Sequence, residues 1–291
     1  MTKTPFNAER VSQYAAIFKC PVCGGEFAAA EPGGLVCGKG HRFDMAKPGY
    51  VNFLSRAVNS GYGKELFAAR HRIITESSLY APLHEVIADA IRGHSEGFAA
   101  PPLIADMGCG EGSHLHEIMN RTPIPGAVSV GLDLSKEGIR MAARRYAGPV
   151  WAVGDLARAP LPDQAAIAIL NMLSPANYRE FKRMLAPSGI VVKVVPGPQY
   201  LQELRRPLFD GEEKRSYSND KTASLFRWHF RLKETVALQY TRLLLRPELA
   251  CLARMTPLAW SAEPARTAAF ADREAAEITV DLEVWIGASH Q

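Results

Sequence analysis

Leu103-Ile104-Ala105-Asp106-Met107-Gly108-Cys109-Gly110-Glu111-Gly112 is the run that decides how this chain folds. Its first three residues read as a short buried strand, and His114 to Asn120 beyond it reads as a helix. Glycines between a strand and a helix let the backbone turn tightly and approach a ligand without a Cβ in the way. Many nucleotide-binding folds share such a loop, so neighbouring acids must narrow the choice. Asp133 stands at the end of a second strand, Val128 to Leu132, where a carboxylate can receive both hydroxyls of a ribose. Asp155 follows a third strand, Val150 to Val153, and suits an adenine amino group. Asp106 leads the loop and can attract a cationic amino-acid moiety. With Gly108, Gly110 and Gly112, these three acids form the candidate cofactor-binding set.

Outward from the loop, short apolar runs continue to alternate with helical patterns, the mark of βαβ units around a parallel sheet. Ile167 to Leu170 is a fourth strand, Ala176 to Leu185 a helix, and Ile190 to Val195 a fifth strand after a Pro187-Ser188-Gly189 turn. Phe230 to Gln239 and Ile278 to Ile286 read as further strands, with a helix over Glu248 to Met255. Upstream, Lys64 to Thr75 and Tyr80 to Arg92 carry helical stripes and could cover a ligand mouth. No second nucleotide half and no Walker lysine motif can be placed. The arrangement resembles the class I methyltransferases that bind S-adenosylmethionine. That resemblance implies an α/β fold, Rossmann-like, with a seven-stranded mixed sheet.

Near the start, Cys20-Pro21-Val22-Cys23 and Cys37-Gly38-Lys39-Gly40-His41 supply two close ligand pairs. Zinc prefers thiolate and imidazole held tetrahedrally, and Cys20, Cys23, Cys37 and His41 would fill all four places. No position is left for water, so the metal is expected to be structural. Residues 18 to 54 therefore read as a zinc ribbon, with Phe18, Leu35, Phe43 and Phe53 as its small core. Three of the five cysteines belong to this group, a usage that fits a reducing cytoplasm better than a disulfide scaffold.

The 291 residues carry 47% apolar and 22% charged side chains, an ordinary globular balance. No stretch approaches the roughly 20 apolar residues that span a bilayer. A formal net charge of +4 is too mild to indicate a nucleic-acid partner by itself. The local picture is stronger: Lys182 to Lys233 holds 11 Lys or Arg against 5 Asp or Glu, interleaved with Tyr217, Phe226, Trp228 and Phe230. Such a segment can meet phosphates with its charges and bases with its rings. Arg205, Lys214 and Arg215 from this segment, and Lys39, Arg42 and Lys47 from the ribbon, are the candidate RNA contacts.

The reaction edge is expected at Asn171-Met172-Leu173-Ser174-Pro175-Ala176-Asn177-Tyr178, just past the fourth strand. Amino methyltransferases carry Asn/Asp-Pro-Pro-aromatic there, a motif that clamps an exocyclic amine. Here Met172 and Leu173 replace the prolines and Ser174 the aromatic, which argues against adenine-amine chemistry. Asn171 and Ser174 remain as candidate catalytic, substrate-orienting residues.

Ribbon, glycine loop and this edge motif together resemble one family, the 23S ribosomal RNA guanine-N1 methyltransferases of the RlmA type. The resemblance also rests on His41-Arg42-Phe43-Asp44, Lys64 to Arg70, Pro196 to Pro198 and Met255 to Leu258, so it covers nearly the whole chain. Asn171 to Tyr178 and Tyr217-Ser218-Asn219 look more like the Gram-positive branch, which includes macrolide (tylosin) self-resistance enzymes. The family implies methylation of a guanine N1 in a domain II hairpin, with S-adenosylmethionine and one zinc ion as cofactors. It also implies a cytoplasmic homodimer whose zinc module recognises RNA. The matching organisation is a ribbon over residues 1–56, a helical cover over 57–100 and a methyltransferase domain over 101–291, with a basic and aromatic insertion around 200–275. A non-catalytic zinc-containing RNA-binding protein and a small-molecule methyltransferase are the competing readings.

Overall fold

The computed structural model describes residues 8–30, 33–56, 58, 61–95, 102–209 and 218–290. Five strands run parallel in the centre of one sheet: β5 (Leu103–Met107), β6 (Val128–Asp133), β7 (Val150–Val153), β8 (Ala166–Met172) and β9 (Leu185–Pro196). Beyond β9, β11 (Ala275–Ala288) and then β10 (Arg231–Leu245) add antiparallel neighbours. The order β7-β6-β5-β8-β9-β11-β10 makes the expected seven-stranded mixed sheet. Every residue of β5, β7 and β8 is buried, as strands covered by helices on both faces must be. The chain reverses direction across the sheet between β5 and β8. A crevice opens at the carboxyl ends of strands at such a switch point.

Helices α3 (Ala81–His94), α4 (Ser113–Arg121), α5 (Lys136–Arg145) and α6 (Tyr178–Met184) form the layers. Ser135 starts α5 by accepting a hydrogen bond from Gly138 N, and Asn177 starts α6 by accepting one from Glu180 N. Trp151 on β7 is fully buried behind the glycine loop, donating from Nε1 to the Tyr146 carbonyl at 3.0 Å. A Cβ on Gly112 or Gly131 would collide with its ring. Those two glycines therefore make room for the Trp151 ring.

The ribbon strands β1 (Phe27–Ala30), β2 (Gly34–Cys37), β3 (Arg42–Ala46) and β4 (Tyr50–Asn52) extend the same sheet. β4 pairs in parallel with β7, in register Tyr50 to Trp151, Val51 to Ala152 and Asn52 to Val153. Helix α1 (Ala8–Ile17), which lay outside the elements read from the sequence, clamps this joint. Tyr14 donates its hydroxyl to the Gly49 carbonyl at 2.9 Å and accepts from Trp151 N at 3.3 Å. Val11, Tyr14, Phe18 and Leu35 share one apolar cluster with Val130, Val150 and Ala152. The ribbon is thus packed into the main core instead of hanging from it. The expected boundaries at residues 57 and 100–101 fall outside the described set.

Two other elements differ from the sequence expectation. The helix expected over Lys64 to Thr75 divides into α2 (Lys64–His71) and a π-helical turn, Arg72–Glu76. Thr75 and Ser77 send their hydroxyls back to the carbonyls of His71 and Ile73 at 2.7 and 2.6 Å, which competes with regular helix bonding. Part of the basic, aromatic segment is helix α8 (Asp220–His229), preceded by α7 (Gln202–Leu208). The insertion between β10 and β11 holds α9 (Arg246–Met255) and α10 (Pro264–Ala271), and α9 packs across α2.

Candidate cofactor site and zinc centre

The glycine loop leaves β5 with Gly108, Gly110 and Gly112 at φ of 95°, 61° and 82°, the left-handed region that favours glycine. Gly108 also lies so close to Ser174 that a Cβ would meet its Oγ. The loop and the reaction-edge motif therefore touch across the switch point. Asp133 anchors the loop, accepting from Gly110 N at 2.8 Å and from Ser135 N at 2.7 Å. Each carboxylate oxygen keeps a lone pair for a ligand hydroxyl. Asp155 is exposed at the end of β7, and one of its oxygens accepts from Ala157 N at 2.8 Å.

Asp106 is fully buried, and neither of its carboxylate oxygens has a hydrogen-bond partner. Glu111 is equally buried and equally without a donor. Arg70 of α2 approaches them, with Nε 2.8 Å from Glu111 Oε2 but off the hydrogen-bond direction. Burial, opposed by Arg70 and reinforced by Asp133 and Glu111, raises the Asp106 carboxyl to about 8. Three carboxyl groups thus share one guanidinium, and a second cation would let Asp106 ionise. S-adenosylmethionine carries a sulfonium and an ammonium, so these residues fit it.

Behind the loop, Ser113 Oγ, Tyr146 Oη and His71 Nδ1 lie 3.0–3.2 Å apart, and His84 Nε2 meets His114 Nδ1 at 2.8 Å. Burial drives the His84 imidazole down to about 3, so this pair is neutral packing. Cys109, buried against the Gly131 backbone, likewise packs.

Asn171 departs from its expected place against a substrate. It is fully buried; its Nδ2 donates to the Met107 and Pro175 carbonyls at 2.6 and 3.0 Å, and its Oδ1 accepts from Lys193 Nζ at 2.5 Å. Lys193, unmarked in the sequence because it sits in an apolar strand, also donates to the Ser174 carbonyl at 2.6 Å. Burial lowers its ammonium to about 8. Between these ties Leu173 is held at a φ of 50°, a strained conformation for a residue with a branched side chain. Asn171 and Lys193 therefore shape the turn that presents Ser174.

At the zinc centre the ligand atoms of Cys20, Cys23, Cys37 and His41 all lie within 4.8 Å of one another. Cys23 Sγ is 3.6 Å from Cys37 Sγ, while His41 Nδ1 is 3.6 Å from Cys20 Sγ and 3.3 Å from Cys37 Sγ. A tetrahedral zinc with bonds of about 2.3 Å to sulfur and 2.0 Å to nitrogen spaces its ligand atoms at about 3.5–3.8 Å. Burial would raise the Cys37 thiol, but backbone N–H groups of Lys39 and His41 bring it to about 6. The donor set fits the ion.

The candidate RNA residues separate. Lys39 and Arg42 are exposed beside the zinc ligands, with Arg42 Nε 2.8 Å from Asp44 Oδ1. Lys47 is exposed on the β3–β4 turn, at the opposite end of those strands. Arg205 must be corrected: it is 1% exposed, and its Nη1 donates to the Pro198 and Tyr200 carbonyls at 3.1 and 3.4 Å. It braces the turn before α7 and presents no charge to the surface. Lys214 and Arg215, like Tyr217, lie outside the described residues.

Fold and site together define a class I S-adenosylmethionine-dependent methyltransferase bearing a zinc ribbon. Residues 18–56 match the family model described as "RlmA, N-terminal", a zinc ribbon, and residues 104–189 match one described as "Methyltransferase domain". A Bacillus subtilis (strain 168) protein named "Putative 23S rRNA (guanine-N(1)-)-methyltransferase YxjB" is 40% identical, covering 94% of this chain and 97% of its own. The "23S rRNA (guanine(748)-N(1))-methyltransferase" of Streptomyces fradiae is 32% identical, covering 84% of this chain and 86% of its own. The chain belongs to this family of 23S rRNA (guanine-N1)-methyltransferases. Among the described residues no helix is long and apolar enough to cross a membrane.

Chelating the metal should release zinc and open the amides of β1, β2 and β3 to hydrogen exchange, while β5 and β8 stay protected. Mass spectrometry of exchange with parallel zinc titration checks this. The raised Asp106 carboxyl binds its proton more tightly folded than unfolded, so it costs stability progressively as pH climbs from about 4 to about 8. Ligand-free Asp106→Asn should therefore exceed the parent in Tm, by more at pH 8.5 than at pH 5.5, in scanning calorimetry.

Proposed function

We propose that this chain methylates guanine N1 in a hairpin of 23S ribosomal RNA, with the ribbon steering the RNA to the sheet's carboxyl edge. The observation that carries the reading is the placement of the zinc knuckle. β4 and β7 are parallel, and β3 runs antiparallel to β4, so β2 ends and β3 begins at the edge where β7 ends. Cys37, Lys39, His41 and Arg42 thus stand at the same edge as Asp106, Asp133 and Asp155. A polynucleotide lying across the ribbon tip reaches the switch point without crossing the sheet.

Cys20, Cys23, Cys37 and His41 hold the zinc in this reading. Asp106 receives the ammonium of the cofactor, Asp133 the ribose hydroxyls and Asp155 the adenine amino group, with Gly108 and Gly110 allowing close approach. When bound, S-adenosylmethionine supplies an activated methyl group on a sulfonium. The residues of the chain must then align the base in line with it and let the N1 proton leave. Ser174, turned toward Gly108, orients the guanine edge, and Asn171 acts as a positioning residue through the Ser174 turn. Lys39 and Arg42 meet phosphate, and the homodimer and macrolide-resistance role rest on the family resemblance alone.

Labelled S-adenosylmethionine with 23S RNA hairpins, followed by primer extension and nucleoside mass spectrometry, should yield N1-methylguanosine. Label entering small metabolites instead, or no nucleic acid, overturns the substrate. In the same assay Asn171→Ala should lower single-turnover transfer by about 10²-fold while cofactor affinity changes little. Lys39→Ala and Arg42→Ala should each reduce the slope of log affinity against log salt by about 1 with zinc retained. An unchanged slope in filter binding removes them from the interface.

A further inference from the structure

The cofactor's methionine end is a zwitterion, and Asp106 answers only its cationic half. We propose that Arg70 of α2 binds the carboxylate of the methionine moiety, an assignment that rests on the methyltransferase reading above. Arg70 lies directly over the glycine loop: a Cβ on Gly110 would sit 3.4 Å from its Nε. The helix is seated there by Phe67, whose ring is 3.5 Å from the same Cβ position and 2.9 Å from that of Gly138 at the start of α5. The guanidinium is thus fixed within reach of the segment where loop, Asp106 and Asp133 converge.

Its bonding is incomplete in a way that points to a ligand. Nε approaches Glu111 Oε2 at 2.8 Å, yet neither atom has a hydrogen-bond partner, and Glu111 is fully buried. No hydrogen bond from the Arg70 guanidinium is found among the described residues. Its side chain keeps 21% exposure, and the single Nε approach to Glu111 is not the bidentate geometry in which a guanidinium binds a carboxylate most strongly. A planar fork of five donors can give one edge to Glu111 and another to a ligand carboxylate. Glu111 then acts as a positioning residue that aims the fork. The cofactor zwitterion is then met at both ends, its carboxylate by Arg70 and its ammonium by Asp106.

The irregularity after α2 supports the same role. Ser77 N bonds to the Arg72 carbonyl five residues back, at 3.0 Å, so the π turn starts two residues beyond Arg70. Such turns mark functional positions in helices because they re-aim side chains at the cost of regular bonding. Here Ile73 and Ile74 enter the core while Arg70 keeps its face toward the loop.

Isothermal titration of the full zinc-loaded chain with S-adenosylmethionine and with its decarboxylated form tests the assignment without RNA. The parent should prefer the carboxylated cofactor by about tenfold or more, the loss expected for one charge-assisted bidentate contact. Arg70→Ala should bind both forms alike, and Arg70→Lys should keep part of the preference, with zinc content and Tm reporting the fold. Equal binding of the two forms by the parent overturns the proposal without any variant. So does full preference retained in Arg70→Ala or, should that variant not fold, in Arg70→Met. A parent that shows the preference but fails to methylate RNA overturns the substrate reading and leaves Arg70 assigned.

Discussion

Three backbone registers at one edge of the sheet, Tyr50 to Trp151, Val51 to Ala152 and Asn52 to Val153, govern where the zinc ribbon can be. A parallel ladder of even three residues fixes direction as well as distance, because its hydrogen bonds form in only one orientation. With β4 so oriented, the hairpin before it must turn the zinc ligands toward the carboxyl edge. The buried Tyr14 hydroxyl bridges the Gly49 carbonyl and Trp151 N at this joint and ties the two strands together. The metal therefore does two things: it closes a ribbon too small to hold itself, and it supplies a rigid tip to the main sheet.

The second constraint is electrostatic. Asp106, Glu111 and Asp133 converge where β5 and β6 end, and the Arg70 guanidinium is the positive charge that acts on Asp106. A buried carboxylate without donors costs free energy in the absence of ligand. That cost is returned when a cation arrives, so the pocket discriminates for a positively charged cofactor. The same logic separates the two sides of the switch point. On the Asn171 side Lys193 satisfies the Asn171 and Ser174 oxygens internally, so rigidity prevails there. On the Asp106 side the bonds stay open, and binding is what completes them.

Much of the architecture was legible from residues alone, for physical reasons that can be named. Apolar strands of β-branched residues alternating with amphipathic helices leave few topologies open, and right-handed crossovers remove most of the rest. The zinc ligands were legible because metal chemistry demands both residue type and spacing. Helix α1 was not, because buried side chains such as Val11 and Tyr14 gain meaning only against a ribbon and a sheet edge. Arg205 was misplaced for a related reason. A charge in a basic segment reads as surface until the fold brings two backbone carbonyls to its guanidinium.

Residue identity by itself determined that this chain has a strand, a glycine turn and a helix with acids on successive strand ends, and that four thiol and imidazole groups can take a metal. These are local facts, set by backbone freedom and ligand chemistry. Tertiary structure decided which glycines serve packing against Trp151, which amide is spent on holding the Ser174 turn, and which arginine leans over the loop. Those outcomes depend on contacts between residues 20 to 64 positions apart, and no local preference encodes them. Whether a polar group is available for chemistry is settled by what else has already claimed it.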